Sequence, residues 1–253
     1  MCLSGICRGT AGMTDSCFSA AERSAEEIRS AKKTLRSAML SLRRNLPDGF
    51  RRTADHAVNN ALISFIRECG VRRLAGYLTD GTEPDLHETF SAFLAEGGSL
   101  FLPRYEQDGT YRLVRAGSLT SLPGKWGIPE PGPEAPDAAP EELKNALWLI
   151  PGVAFDSSFR RLGRGKGIYD RFLSGSAGPV IGVFYECQHA ECIPCEEHDR
   201  PLDGTATERG LVFRDASAIK QTLCSMGHGK RRAAEHTEQA AFLSHKSYDK
   251  ENT

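Results

Sequence analysis

The stretch LIPGVAFDSSFRRLGRGKGIYDRFL, residues 149–173, decides how the chain is read. Together with Leu147 and Trp148, Leu149 and Ile150 form a continuous apolar run closed by Pro151-Gly152, the pattern of a buried strand. Residues 160–167 then mix cations with glycines, the composition of a loop. Gly163, Gly165 and Gly167 let the backbone bend and present its N–H groups, while Arg160, Arg161, Arg164 and Lys166 add positive charge. Ile168, Tyr169, Phe172 and Leu173 recur at helical spacing, so a helix is predicted to start near Gly167. A strand, a basic glycine loop and a helix start together make a phosphate cradle. Asp170 falls in the first turn of that helix, where a carboxylate can face a metal bound to the phosphates. The spacing is not that of a Walker loop. A basic surface loop that binds anions weakly, or RNA, has the same composition and remains open at this point.

Around this stretch the composition is that of an ordinary globular chain. Of 253 residues, 40% are hydrophobic and 26% charged, enough for a full core. A formal net charge of -1 gives no global attraction to nucleic acid or to an anionic membrane. No apolar run approaches the roughly 20 residues of a membrane helix, and the N-terminus does not read as a secretory signal. Eight cysteines without such a signal imply reduced thiols in a cytoplasmic protein. The expected organisation is a leader over residues 1–18, a single globular domain over 19–228 and a polar tail over 229–253.

Amphipathic periodicity predicts helices over residues 20–46 and 50–69, the first with Ile28, Leu35, Met39, Leu42 and Leu46 on its apolar face. A strand is expected over 73–79, a helix over 85–96 and strands over 99–105 and 110–116, the last two joined at Asp108-Gly109. Residues 122–140 read as a Pro/Gly-rich loop. A strand over 179–185, a short strand over 210–214 and a helix from Ser217 complete the pattern. Helices alternating with strands predict an α/β fold, three layers deep, with a largely parallel sheet covered on both faces.

Several residues are ambiguous when read alone. Lys32 and Arg36 lie four apart on one helical face, the mark of a solvated basic stripe. Glu83 sits in the acidic turn after the 73–79 strand, where the carboxyl ends of an open α/β sheet bind ligands. Trp126, beside Lys125, offers an aromatic face for a flat heterocycle. Cys187, Cys192 and Cys195 have the spacing of a plant-type [2Fe–2S] site, and with nearby His189 and His198 a zinc site can also be drawn.

The central stretch resembles the signature of the 5-formyltetrahydrofolate cyclo-ligase family, also called methenyltetrahydrofolate synthetases. Three further pieces match in the family's order: KKTLR at 32–36, KWGIPEP at 125–131 and GVFYECQHAECIPCEEHDRPLD at 182–203. The resemblance implies a three-layer α/β/α domain that uses ATP and Mg²⁺ to convert 5-formyltetrahydrofolate to 5,10-methenyltetrahydrofolate, as a monomer without nucleic-acid or membrane partners. It assigns Lys32, Arg36 and the block Arg161, Leu162, Gly163, Arg164, Gly165, Lys166, Gly167, Ile168 and Tyr169 to the nucleotide. It assigns catalytic roles to Arg161, Arg164, Lys166 and Tyr169, substrate contacts to Glu83 and Tyr169, and magnesium to Asp170 and Asp199, while the substrate contact expected of Trp126 or Ile128 rests on the residues themselves. The family usually has an aromatic residue where this chain has Ile168, so a binding relative that lacks turnover is one alternative. An iron–sulfur or zinc protein built on the three cysteines is the other.

Overall fold

The computed structural model describes residues 24–124, 127–194 and 200–226. The elements run α1 (Ala25–Arg44), α2 (Asp48–Glu68), β1 (Arg73–Ala75), α3 (His87–Ala95), β2 (Ser99–Tyr105), β3 (Tyr111–Ala116), β4 (Ser121–Pro123), β5 (Pro129–Pro131), α4 (Pro140–Lys144), β6 (Leu147–Pro151), β7 (Ala154–Phe155), β8 (Arg161–Leu162), α5 (Ile168–Leu173), β9 (Val180–Val183), β10 (Gly204–Thr207), β11 (Gly210–Phe213) and α6 (Ala216–Ser225).

Seven strands form one sheet in the order β11-β10-β9-β6-β1-β2-β3. The five central strands are parallel, and only the edge strands β3 and β11 run antiparallel. Because side chains alternate across a strand, β6 sends Leu147 and Leu149 to one face and Trp148 and Ile150 to the other. Leu147 and Leu149 join Leu74, Leu100 and Ile181 under α2, α3 and α6, which contribute Leu62, Phe90 and Leu223. Trp148 and Ile150 join Ala75, Phe101 and Val180 under α4 and α5, which contribute Leu143 and Leu173. The continuous apolar run of β6 is thus explained by burial on both faces, and the expected three-layer α/β architecture is present.

α1 does not lie on the sheet. Its start is fixed by a capping box: Glu27 N–H donates to Ser24 Oγ at 3.3 Å, and Ser24 N–H donates to Glu27 Oε2 at 2.7 Å. Leu35 and Met39 then pack on a small cluster of Ala154, Leu162, Ala190 and Ile193. α1 therefore covers the β7–β8 hairpin that leads into the glycine loop.

Several sequence expectations need correction. Residues 161–162 are not loop: they form β8, paired antiparallel with β7, because Leu162 has an apolar pocket to fill beneath α1. Residues 122–140 include the β4–β5 hairpin, whose Pro-containing strands pair only with each other, where a missing N–H costs little. The predicted 73–79 strand ends at Ala75. Leu42 on α1 is 51% exposed, while its neighbour Arg43 is 1% exposed. Helical phase put leucine on the buried face, but two carboxylates reached by the fold draw the arginine in instead. β10, with the sequence Gly-Thr-Ala-Thr, carries too little apolar signal to be predicted. Residues 1–18 and 229–253, expected as leader and tail, lie outside the described residues.

Candidate active site

The carboxyl ends of β1, β6 and β2 open at one end of the sheet, and the antiparallel β3 begins there. A cleft of about 170 Å³ lies at that end, lined by Glu83, Tyr111, Ile128, the residues from Gly163 to Asp170, and Arg161. A larger, open concavity of about 630 Å³ lies at the other end of β2, around Gly98, Ser99 and Arg115. The smaller cleft is the chemically equipped one of the two, since the cationic loop and the buried Glu83 carboxylate converge there.

The loop is held from three sides. Behind it, Asp156 is 3% exposed and ties the β7–β8 turn together. Its Oδ1 accepts from the N–H groups of Ser158 (2.9 Å) and Arg160 (3.0 Å), and its Oδ2 from that of Ile193 (2.9 Å). Beneath it, Gln188, fully buried, donates from Nε2 to the carbonyls of Gly152 and Val153, both at 2.9 Å. From α1, Arg36 Nε donates to the Gly163 carbonyl at 2.8 Å. Gly165 (φ 88°) and Gly167 (φ 63°) take left-handed backbone in the loop, and Gly167 caps the six-residue helix α5.

Arg161 Nη2 donates to Asp170 Oδ1 at 2.5 Å, with Arg161 nearly buried and Asp170 exposed. Arg164 Nη2 donates to Asp80 Oδ2 and, at 3.1 Å, to Glu83 Oε1. The same two oxygens face Arg43 of α1, with Nη2 at 3.7 Å from Asp80 and Nη1 at 3.6 Å from Glu83. Burial works to raise the Asp80 carboxyl, but hydrogen bonds from Arg164 and Thr82 outweigh it and hold it at about 2. Glu83 goes the other way, because its burial is deeper than the two arginines offset. Burial, then the Glu83 charge, pushes the half-buried Tyr169 hydroxyl well up, leaving it a neutral donor in the cleft.

Of the sequence-predicted residues, Glu83, Arg161, Gly163, Arg164, Gly165, Lys166, Gly167, Ile168, Tyr169 and Asp170 all line this cleft. Arg36 reaches the loop, and Lys32 on the same face of α1 is 8% exposed rather than solvated. Leu162 points away from the cleft into the cluster under α1. Trp126, Cys195, His198 and Asp199 lie outside the described residues. Among the described residues no group of three or more His, Cys, Asp or Glu side chains is placed to hold a metal. Arg160 Nη1 donates to Cys192 Sγ at 3.8 Å, and Cys187 lies in the short turn Glu186–Gln188 behind the loop. Sequence reading missed Arg43, Asp80, Tyr111 and Asp156. Arg43 alone left a signal: it lies seven residues after Arg36, on the same helical face.

Sheet, loop and cleft define an α/β enzyme domain with a cationic ligand site over the carboxyl ends of its parallel strands. A family model described as the 5-formyltetrahydrofolate cyclo-ligase family matches residues 28–208. A 5-formyltetrahydrofolate cyclo-ligase of Mycolicibacterium smegmatis is 32% identical over 193 residues, covering 72% of this chain and 96% of that protein. A 5-formyltetrahydrofolate cyclo-ligase of Mus musculus is 26% identical, covering 70% and 93%. The NMR structure of a 5,10-methenyltetrahydrofolate synthetase from Aquifex aeolicus superposes with a TM-score of 0.63 at 35% identity, covering 73% of this chain and 94% of that one. The chain belongs to the 5-formyltetrahydrofolate cyclo-ligase family.

Proposed function

We propose that this chain closes 5-formyltetrahydrofolate to 5,10-methenyltetrahydrofolate, with ATP consumed and ADP and phosphate released. The observation that carries the reading is the meeting of Arg161, Arg164, Lys166 and the glycine-loop backbone with Glu83 and Tyr169 in one cleft. An amide oxygen is a poor leaving group, so the formyl carbon must be activated. The formyl oxygen attacks the γ-phosphorus of ATP and the bond to ADP breaks. N10 then attacks the activated carbon, the carbon–oxygen bond breaks, phosphate departs and N10 gives up its proton. The amide oxygen is already a nucleophile, so the first step needs no general base. The protein's work is positioning and charge neutralisation.

In this reading Arg161, Arg164 and Lys166 hold the transferring phosphoryl group, with Lys32 and Arg36 on the side of α1. Gly163, Gly165 and Gly167 let the backbone approach the phosphates, Leu162 anchors the loop, and Ile168 and Tyr169 bound the cleft on the substrate side. Glu83 contacts the reduced pterin, a role shared by Trp126. Magnesium typically takes one or two carboxylates plus phosphates and water. The exposed Asp170 fits such a nucleotide-borne ion, with Asp199 as second ligand, and the ion supplies charge neutralisation when bound. A cytoplasmic monomer is the corresponding cellular form. Among the described residues no helix is long and apolar enough to cross a membrane.

The test is to mix purified protein with 5-formyltetrahydrofolate and MgATP and follow the near-UV absorbance of the methenyl product. ATP-dependent product that is lost in Asp170→Ala is expected. MgATP binding without product would overturn the proposal in favour of a binding relative without turnover.

A further inference from the structure

The mechanism leaves the buried guanidinium of Arg43 unused. Arg43, 1% exposed, projects from the last turn of α1 and donates from Nη1 to the Gly152 carbonyl at 3.1 Å. Its Nε and Nη2 have no hydrogen-bond partner. Orphaned donors on a buried guanidinium are costly and need a reason. Nη2 stops 3.7 Å from Asp80 Oδ2 and Nη1 3.6 Å from Glu83 Oε1, just beyond hydrogen-bond distance. Those same two oxygens already accept from Arg164 Nη2. The two arginines therefore compete for one pair of acceptors.

They are not equivalent competitors. Arg43 is buried and pinned to Gly152, whereas the Arg164 side chain is 43% exposed on the glycine loop. Asp80 is also fixed: its Oδ1 accepts from Thr82 N–H at 2.9 Å and from Glu83 N–H at 3.2 Å. Arg164 is the one member of the set free to leave.

We propose that Arg43 is a positioning residue that makes Arg164 a two-position cation. With the cleft empty, Arg164 rests on Asp80 and Glu83. When an anionic phosphate enters, Arg164 turns to it, and Arg43 closes the remaining few tenths of an ångström onto the vacated oxygens. Without Arg43 that departure would strand two carboxylates with no counter-charge. Asp80 thus acts against ligand binding and Arg43 for it. The proposal rests on the reading of Arg164 as a phosphate ligand.

Titration with a magnesium complex of a non-hydrolysable ATP analogue separates the two residues. Losing one charge-assisted competitor or counter-charge is worth about tenfold in affinity. Asp80→Asn is expected to bind the analogue several-fold tighter, and Arg43→Met about tenfold weaker. The double variant should return near the wild-type value. Such opposite shifts and mutual rescue would not arise from a merely structural Arg43. Unchanged or weaker binding in Asp80→Asn overturns the proposal, and that variant decides the matter even if Arg43→Met fails to fold. A folded Arg43→Met with wild-type affinity overturns it too. Wild-type protein that neither binds the analogue nor turns over would instead sink the underlying reading of the site.

Discussion

Asp156 carries more of the site's geometry than its distance from the cleft implies. It satisfies three backbone N–H groups from two separate segments, the hairpin turn and the stretch before residue 194. Asp156→Ala would strand the buried Ile193 N–H and two part-buried ones, at a cost of about 3 kcal/mol. The expected result is a lower melting temperature together with lower turnover, and Asp156→Asn should recover part of both. A melting curve identical to wild type would show that the turn holds itself. Arg161 and Arg164 differ at this same scale although the sequence makes them look alike. Arg161 is nearly buried and paired with an exposed carboxylate, whereas Arg164 is exposed and paired with the buried Glu83 and the partly buried Asp80. The repeat of arginine and glycine made the cationic loop legible, but not which arginine faces which acid.

Among the elements, α1 and the glycine loop function as a pair. Gly165 at φ 88° has room for a methyl only at the edge of contact, 3.4 Å from Arg36 Cζ. Left-handed backbone costs a non-glycine residue roughly 1–2 kcal/mol. Gly165→Ala should therefore lower stability by about that amount while raising KM for ATP more than it lowers kcat, because the loop and Arg36 shift together. Equal loss in both constants would point instead to a reacting-group defect. Most elements were readable: α1 and α2 by their amphipathic faces, α3 by the turn before it and the glycines after it, and β6 and β9 by their apolar runs. β4, β5, β7, β8 and β10 were not. Each is two to four residues long, and such strands exist only because a partner lies opposite. α1 was readable as a helix, but its destination was not. Periodicity names an apolar face without naming what it covers.

For the whole molecule, the two carboxylates beside Arg164 pull stability in opposite directions with pH. The Asp80 carboxyl falls from an ordinary 3.8 to about 2 on folding. Its stabilisation is fully present above the ordinary value and lost as pH falls from about 4 to 2. Glu83 is raised by burial, so its charged form opposes folding once pH exceeds its ordinary value. An acid-unfolding series should show Asp80→Asn missing the loss of stability between pH 4 and 2, and Glu83→Gln gaining relative to wild type near neutrality. A wild-type-like profile in Asp80→Asn would mean that Asp80 is not held by its partners. The sheet order is what brings these groups together. β1 and β6 are neighbours, so the loop after Ala75 and the loop after Pro151 share one end of the sheet.

The fold class and the family were legible in the sequence alone. Alternating helices and strands required a covered parallel sheet, since a strand apolar on both faces has nowhere else to go. The run from Arg161 to Asp170 placed cations, glycines and a carboxylate within ten residues, close enough that any fold must keep them together. The partners of those cations were set by the three-dimensional fold. Arg43, Asp80, Glu83 and Arg164 span some 120 positions of chain, and no local pattern encodes a contact made across a sheet. That contact depends on strand order and on a helix packed over a hairpin, and both follow from global burial rather than local preference.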